Sequence, residues 1–530
     1  MLPTPSAPLG APPARRKLPI GIQTFREIIE EGYYYVDKSG YAVDLAETGK
    51  YYFLSRPRRF GKSLLLDTLR ALFEGQQALF KGLLAEPRWD WSKQHPVIRV
   101  SFSDGVLRDR AELDQRIQEI LQDNQTRLEV SCTHQSFGGQ FGELIALAHK
   151  KTGQRAVVLI DEYDKPILDN ITHSAVALEM REGLKNLYSV LKGADEHLKF
   201  VFLTGVSKFS KVSLFSGLNN LTDITLEAKY SALCGYTDAD VDSVFAPELE
   251  GLDRDEIRRW YNGYNWLGTS VYNPFDLLLL FRSREFRPYW FETGTPTFLV
   301  KLLSDKQFYS PDLARLHSSL TLLSSFDVDQ IEPEALLFQA GYLTVQQSSQ
   351  PIRGQWVYTL GYPNHEVESS LNAALLGGYG APERTSFETR IKLIEALKSS
   401  NFASLKTLFH AFYASIPHDW YRKNELANFE GYYASIFYSY FAALGLDIRL
   451  EDSTSHGRID MAVLFNGQIY LFEFKVVELT PAGQALQQIK DMGYADKYRA
   501  RGEPIHLIGV AFSKASRNIV EFDVETLQIQ

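Results

Sequence analysis

Only two cysteines, Cys132 and Cys234, occur in 530 residues, which excludes a disulfide framework and a four-thiolate metal site. Long apolar runs are missing too. The stretch from Phe275 to Phe281, itself interrupted by Asp276, is among the longest, far short of the ~20 residues of a membrane helix. The first residues, MLPTPSAPLGAPPARRK, hold no apolar leader core and read as a Pro/Ala-rich disordered tail. These absences point to a reducing cytoplasm and to no membrane partner. Positive charge is also short: Lys and Arg number 56 against 65 Asp and Glu, a net charge of −9. A basic coat is therefore excluded, and any polyanion has to be held by a local patch. What is present is bulk. At 45% hydrophobic and 23% charged residues, the chain can fill several packed cores, and its length predicts about three to four domains.

From Leu18 to about Leu226, strand and helix patterns alternate, as in an α/β domain with a largely parallel sheet. The clearest buried strands are Tyr51–Leu54, Val97–Phe102, Ala156–Ile160 and Phe200–Leu203, each ending in polar or glycine residues, where ligands of open α/β sheets bind. From Tyr236 to about Leu303 the pattern becomes helical and aromatic, suggesting a lid. Near 330 to 372 a helix (PEALLFQAG) precedes two strands (YLTVQQ and QWVYTLGYP), which fits a helix with a two-stranded wing. Such units often contact DNA, and a structural spacer is the alternative. Gly377 to Glu383 reads as a linker, and a last domain runs from roughly Asp419 to the end.

The strand YYFL leads into SRPRRFGKSLLLDTLRALF. Gly61-Lys62-Ser63 stands where the strand ends and an amphipathic helix begins, a place where backbone N–H groups suit phosphate. Lys62 would reach the terminal phosphates and Ser63 would ligate Mg²⁺. The full phosphate-loop pattern asks for glycine five residues earlier, and Arg56 stands there. About one hundred residues on, AVVLIDEYD places Asp161 for the Mg²⁺ shell and Glu162 to polarise attacking water. The strand FVFL ends in Thr204, able to sense the γ-phosphate from between the other two strands. Each alone has a bland alternative as a surface turn or a strand-end hydroxyl; the three in order favour a nucleotide site.

The C-terminal segment reads GRIDMAVLFNGQIYLFEFKVVE. Asn466-Gly467 is the preferred dipeptide of a two-residue type I′ hairpin, and that register places Asp460 opposite Glu473. Alternation puts Lys475 on the same face, over Ala462, Leu464, Ile469 and Leu471. Two adjacent carboxylates repel unless a cation lies between them, and a hard ion such as Mg²⁺ or Mn²⁺ suits oxygen donors. The arrangement Asp-(x)12-Glu-x-Lys matches PD-(D/E)XK, with Ile459 in place of the proline. Upstream, ANFEGYYASIFYSYFAALG reads as a helix. Glu430 is the candidate third acid and Glu425 the runner-up, while a helix N-terminal acid favoured by the macrodipole is the alternative for Glu430. Downstream, ALQQIKDMGYADKY carries Gln488, Lys490, Tyr494, Lys497 and Tyr498 on related helical turns. Gln488 is the candidate to touch the scissile phosphate; a solvated amphipathic helix remains the alternative for Lys490 and Lys497.

SRPRRFGKSLLLDTL, VVLIDEYDKPI, LTGVSKFSKVSLFSGLNNLTDIT and YNGYNW…VYNPFDLL together resemble the bacterial family with an AAA-ATPase-like N-terminal domain and a C-terminal PD-(D/E)XK nuclease-like domain. The resemblance spans nearly the whole chain after the tail, and the Arg-Pro-Arg-Arg-Phe-Gly-Lys-Ser loop looks typical of it. The expected fold is α/β: a tail at 1–17, an AAA-like phosphate-loop domain with a parallel sheet at 18–230, and a helical lid at 231–305. A helical, winged region follows at 306–410, then a restriction-endonuclease-like domain at 411–530. The expected nucleotide site comprises Arg59, Phe60, Gly61, Lys62, Ser63, Asp161, Glu162 and Thr204, binding ATP, with Ser63 and Asp161 on Mg²⁺. The expected catalytic set is Asp460, Glu473, Lys475, Glu430 and Gln488, with Asp460 and Glu473 as metal ligands. The function expected is an ATP-regulated, metal-dependent nuclease acting on nucleic acid, DNA ahead of RNA. The alternatives are a nucleotide-controlled nucleic-acid-binding protein that does not cut, and an ATPase that drives change in a partner.

Overall fold

The computed structural model describes residues 15–208, 220–293, 299–300, 302–303, 308, 310–320, 323, 332–378, 383–415, 430–453, 458–477, 484–513 and 515–528. The side chains of residues 383, 430–432 and 451–458 lie outside that description. Most of the tail, Glu425, His456, the interior of the 377–383 linker and the side chain of Glu430 therefore fall outside it. The described chain forms two compact units, Met1–Thr293 with His317–Asn364, and Gly294–Leu316 with His365–Gln530. The stretch 306–410, read from the sequence as one middle region, is shared between them.

In the first unit, strands β1 (Tyr51–Ser55), β2 (Val97–Ser101), β3 (Ala156–Asp161), β4 (Leu198–Gly205) and β5 (Thr222–Asp223) form a parallel sheet in the order β2-β3-β4-β1-β5. Every residue of β1 and β3 is buried, as expected for central strands covered on both faces, and this is why they read as unbroken apolar runs. β4 lies between β1 and β3, so the ends of the three chemistry-bearing strands are adjacent. Short helices at Asp238–Val244, Arg254–Tyr261, Pro274–Ser283 and Tyr289–Glu292 share one aromatic core with Tyr34 and Val36 from the start of the chain.

Further along, β6 (Leu316–Ser319) comes before the helix Pro333–Ala340, and β7 (Thr344–Ile352) and β8 (Gln355–Gly361) follow it; the three strands form a sheet in the order β6-β8-β7. The helix and two-stranded wing read from the sequence are thus present. β7 and β8 pair antiparallel with two register irregularities.

The second unit is built on a mixed sheet of β9 (Asp447–Ser453), β10 (Arg458–Phe465), β11 (Gln468–Val477), β12 (Ile505–Ser513) and β13 (Asn518–Leu527), in that spatial order. The helix Glu430–Ala443 packs its aromatic face on it, with Phe437 among Phe472, Phe474 and Phe512. On another face, Ala462, Leu464, Ile469 and Leu471 meet Ile489, Tyr494 and Tyr498 in a separate core. The sequence pattern predicts a single helix over 485–498. The structure has two, Gln484–Asp491 and Asp496–Arg499, split by Gly493 at φ 57°, because glycine there lets the chain turn back instead of continuing the helix.

Candidate active sites

The helix Lys62–Phe73 starts at Gly61, which adopts φ 90° and has open space where a side chain would project. This turn brings Arg59, Phe60, Gly61, Lys62, Ser63 and Glu162 to the wall of a cavity of about 540 Å³. Its apolar wall comes from Tyr34, Tyr35, Val36, Tyr236, Phe275 and Leu278. Asp161 and Thr204 stand behind Ser63. Ser63 Oγ donates to Asp161 Oδ2 at 2.6 Å, and Thr204 Oγ1 donates to Asp161 Oδ1 at 3.3 Å. A hydroxyl and a carboxylate on adjacent strand ends, beside a helix N-terminus, form a hard-oxygen and N–H donor set that fits Mg²⁺ and phosphate. Burial lowers the Lys62 ammonium below its usual range, against the pull of Asp161 and Glu162. Its Nζ donates to the Arg56 and Pro57 carbonyls, both at 2.9 Å.

Glu162 holds φ 50°, an uncommon conformation for a non-glycine residue. Burial, then the neighbouring Asp161, keep its carboxyl above the usual range. Phe60 contributes backbone only, since its ring packs edge-on against Tyr264 at 4.7 Å and Trp266 at 5.5 Å. Arg59 projects over the Phe275 ring at 4.7 Å.

Arg56 does not belong to an exposed basic cluster with Arg58 and Arg59, as its sequence position suggests. It is fully buried. Its guanidinium donates to the carbonyls of Ser55, Thr225 and Tyr230 at 2.8–3.0 Å and lies 4.0 Å over the Trp266 ring. Burial pushes its pKa down to about 10. The residue in the glycine position of the usual loop is therefore an internal brace, turned away from the phosphate side.

Sequence reasoning missed Asp164. This buried carboxylate accepts from Val206 N at 3.0 Å and from Ser207 N and Oγ, both at 2.6 Å. It thereby ties the end of β3 to the turn after Thr204. The available signal was a second Asp three residues past Asp161.

In the second unit, Asn466 and Gly467 have φ 52° and 69°, the two positive values a type I′ turn requires. The register runs from Phe465↔Gln468 to Met461↔Phe472. Beyond that pair the ladder changes: Phe474 N donates to Asp460 Oδ2 at 2.8 Å, where a continued ladder would offer the carbonyl of Ile459. Glu473 is 1% exposed and accepts from Lys475 Nζ at 3.2 Å and from Gln488 Nε2. Tyr494 joins them, its phenol raised by burial and then by Glu473, with Gln488 as hydrogen-bond partner and Asp460 and Lys475 also acting on it. One site thus collects Asp460, Glu473, Lys475, Gln488 and Tyr494.

Gly509 faces Glu473 across the β11–β12 ladder. A methyl group there would fall 2.3 Å from Leu486 N, so the missing side chain lets the helix Gln484–Asp491 sit close enough for Gln488 to reach Glu473. Lys490 is turned elsewhere and pairs with Glu525. Lys497 lies 6.0 Å from the centre of the Tyr498 ring. Two carboxylates are hard donors suited to Mg²⁺ or Mn²⁺; among the described residues no group of three His, Cys, Asp or Glu is assembled.

Residues 19–215 match the family described as a predicted AAA-ATPase, and residues 428–522 match the PD-(D/E)XK nuclease superfamily. An uncharacterized protein in the vnfD 5′ region of Azotobacter chroococcum mcd 1 is 64% identical over 516 residues, covering 97% of this chain and 100% of that one. The chain belongs to the family of proteins that join a predicted AAA-ATPase-like domain to a C-terminal PD-(D/E)XK nuclease-like domain.

Proposed function

We propose that this protein is an ATP-binding, metal-dependent nuclease that cleaves nucleic-acid phosphodiester bonds under the control of its AAA-like module. The observation that carries this reading is the convergence of Lys475, Gln488 and Tyr494 on the buried Glu473 beside Asp460. A binding surface for a polyanion has no use for two carboxylates, whereas a metal-assisted cut needs them. Asp460 and Glu473 would hold Mg²⁺ or Mn²⁺, with Glu430 as the proposed third acid, and the ion would polarise a phosphoryl oxygen and acidify the attacking water. Lys475 orients that water or offsets charge in the transition state. Gln488 aligns the phosphate, and Tyr494 holds the polar edge of the site.

In the first unit, ATP would set its phosphates on Gly61–Ser63 with Lys62 and Arg59 as cations. The apolar wall would take the base, and Ser63 and Asp161 would hold Mg²⁺. Glu162 is the proposed base for hydrolysis and Thr204 the sensor of the terminal phosphate.

The test is to incubate the full chain with end-labelled duplex DNA, single-stranded DNA and RNA, with and without Mg²⁺ and ATP. The expected result is Mg²⁺-dependent cutting, of DNA ahead of RNA, at a rate that ATP alters in the wild type but not in Lys62→Ala. Binding without cutting under every condition would move the protein to the nucleotide-controlled binding reading. Cutting that survives removal of divalent metal would contradict the mechanism.

A further inference from the structure

Seven consecutive residues of β7, Gln346 to Ile352, are exposed, as are Gln355 and Trp356 across the turn on β8. Consecutive strand residues point to opposite faces, so both faces of this two-stranded ribbon meet solvent. At ~3.3 Å per residue the exposed part of β7 extends roughly 23 Å. Its tip is Ile352-Arg353-Gly354, with Ile352 61% and Trp356 46% exposed. Buried strands repay such length by covering a core; among the described residues the exposed part of this ribbon covers none.

The charge pattern indicates what it meets. From residue 335 to residue 365 the sequence contains no Asp or Glu, the longest such stretch in a chain with 65 carboxylates. The exposed residues are Gln, Ser and Pro up to a tip that carries one cation, one aliphatic side chain and one indole. Uncharged amides and hydroxyls donate and accept along base edges and phosphates. An aliphatic or aromatic side chain can wedge at a base step, and arginine suits a groove of negative potential.

The root of the ribbon is fastened. Asn265 N donates to Thr344 Oγ1 at 2.7 Å, and Thr344 Oγ1 donates to Asn265 O at 3.2 Å. Gly341, at φ 93°, lies against Pro57 of the phosphate loop so closely that a methyl group would fall 2.7 Å from the proline ring. Lys208 N donates to Gln339 Oε1 at 2.7 Å. The ribbon is therefore anchored at its root.

We propose that the β7–β8 ribbon is a groove-inserting contact for a nucleic-acid duplex, made by Ile352, Arg353 and Trp356 at its tip. This inference rests on the nucleic-acid reading above and places a contact in the first unit, apart from the residues assigned to cleavage.

The test measures fluorescence anisotropy of a labelled DNA duplex of about 30 base pairs, nearly three helical turns. EDTA is present so that metal-dependent cutting is stopped. Full-length wild type is compared with Trp356→Ala and with Arg353→Glu/Trp356→Ala. These side chains are exposed, so nucleotide affinity should stay unchanged and report an intact first unit. The expected result is a loss of duplex affinity of about tenfold or more in the double variant. Equal duplex affinity in wild type and double variant overturns the ribbon proposal alone and leaves the nuclease reading standing. No binding of duplex, single strand or RNA by the wild type overturns both. A double variant that changes the molar mass by light scattering, with duplex affinity unchanged, reassigns the ribbon to contact between copies of the chain and also overturns the proposal.

Discussion

Glu162 illustrates how a single residue carries a testable chemical assignment. Its backbone is held at φ 50° at the tip of β3, and its carboxyl is raised by burial and by Asp161. A base acts only when deprotonated, so turnover of ATP should fall as pH drops, and the acid limb should lie above the ordinary carboxylate value. Glu162→Gln should cut the turnover rate by about 10²–10⁴-fold with ATP affinity retained, read by phosphate release and calorimetry. Unchanged turnover would remove Glu162 from the chemistry. Lys62→Ala should instead weaken ATP binding about tenfold or more, through loss of a charge-assisted contact; equal affinity by calorimetry would remove the phosphate assignment. Glu368 offers a stability test. Burial raises its pKa to about 7, against a hydrogen bond from Tyr438. The folded protein then holds a proton that the unfolded chain releases nearer its ordinary 4.5. Stability should therefore be highest at low pH within this window and decline as pH rises from about 4.5 to 7. Melting temperatures between pH 5 and 8 should lose this component of their slope in Glu368→Gln. A slope identical in both proteins would contradict the raised value.

At the level of elements, the hairpin was legible because a two-residue turn and a period of two leave little freedom. Asn466-Gly467 set the register through Met461↔Phe472, and the apolar set beneath the site followed from alternation. The exchange at Phe474, whose N–H goes to the Asp460 carboxylate, was not legible, because spacing specifies a ladder and not its end. The break at Gly493 was also missed: helical periodicity continues through a glycine that tertiary packing uses as a turn. The bracing role of Arg56 was not legible for a related reason. Its carbonyl partners Thr225 and Tyr230 are 169 and 174 residues away in sequence, so no local pattern announces them. Gly509 turns this packing into an expectation. Gly509→Ala should push the helix Gln484–Asp491 off β12 and separate Gln488 from Glu473. Nucleic-acid cutting should fall while ATP affinity is unchanged. Wild-type cutting in this variant would show that the close approach of the helix does not matter to the site.

For the whole molecule, a net charge of −9 leaves the proposed polyanionic substrates to local sites at the strand tips and the hairpin. A few of the 65 acidic residues stand at the two proposed cation sites, where a bound ion would offset them, and the β7–β8 ribbon carries no Asp or Glu. The family models match residues 19–215 and 428–522, and the proposed coupling gives each matched domain a role. The most direct test of the central claim is the single-turnover rate of cutting one labelled duplex in saturating Mg²⁺, by wild type and Glu473→Gln side by side. The account predicts a metal-dependent rate for the wild type and a fall of at least about 10³-fold on loss of one metal-binding charge, with ATP affinity unchanged. Cutting by Glu473→Gln at the wild-type rate would contradict it.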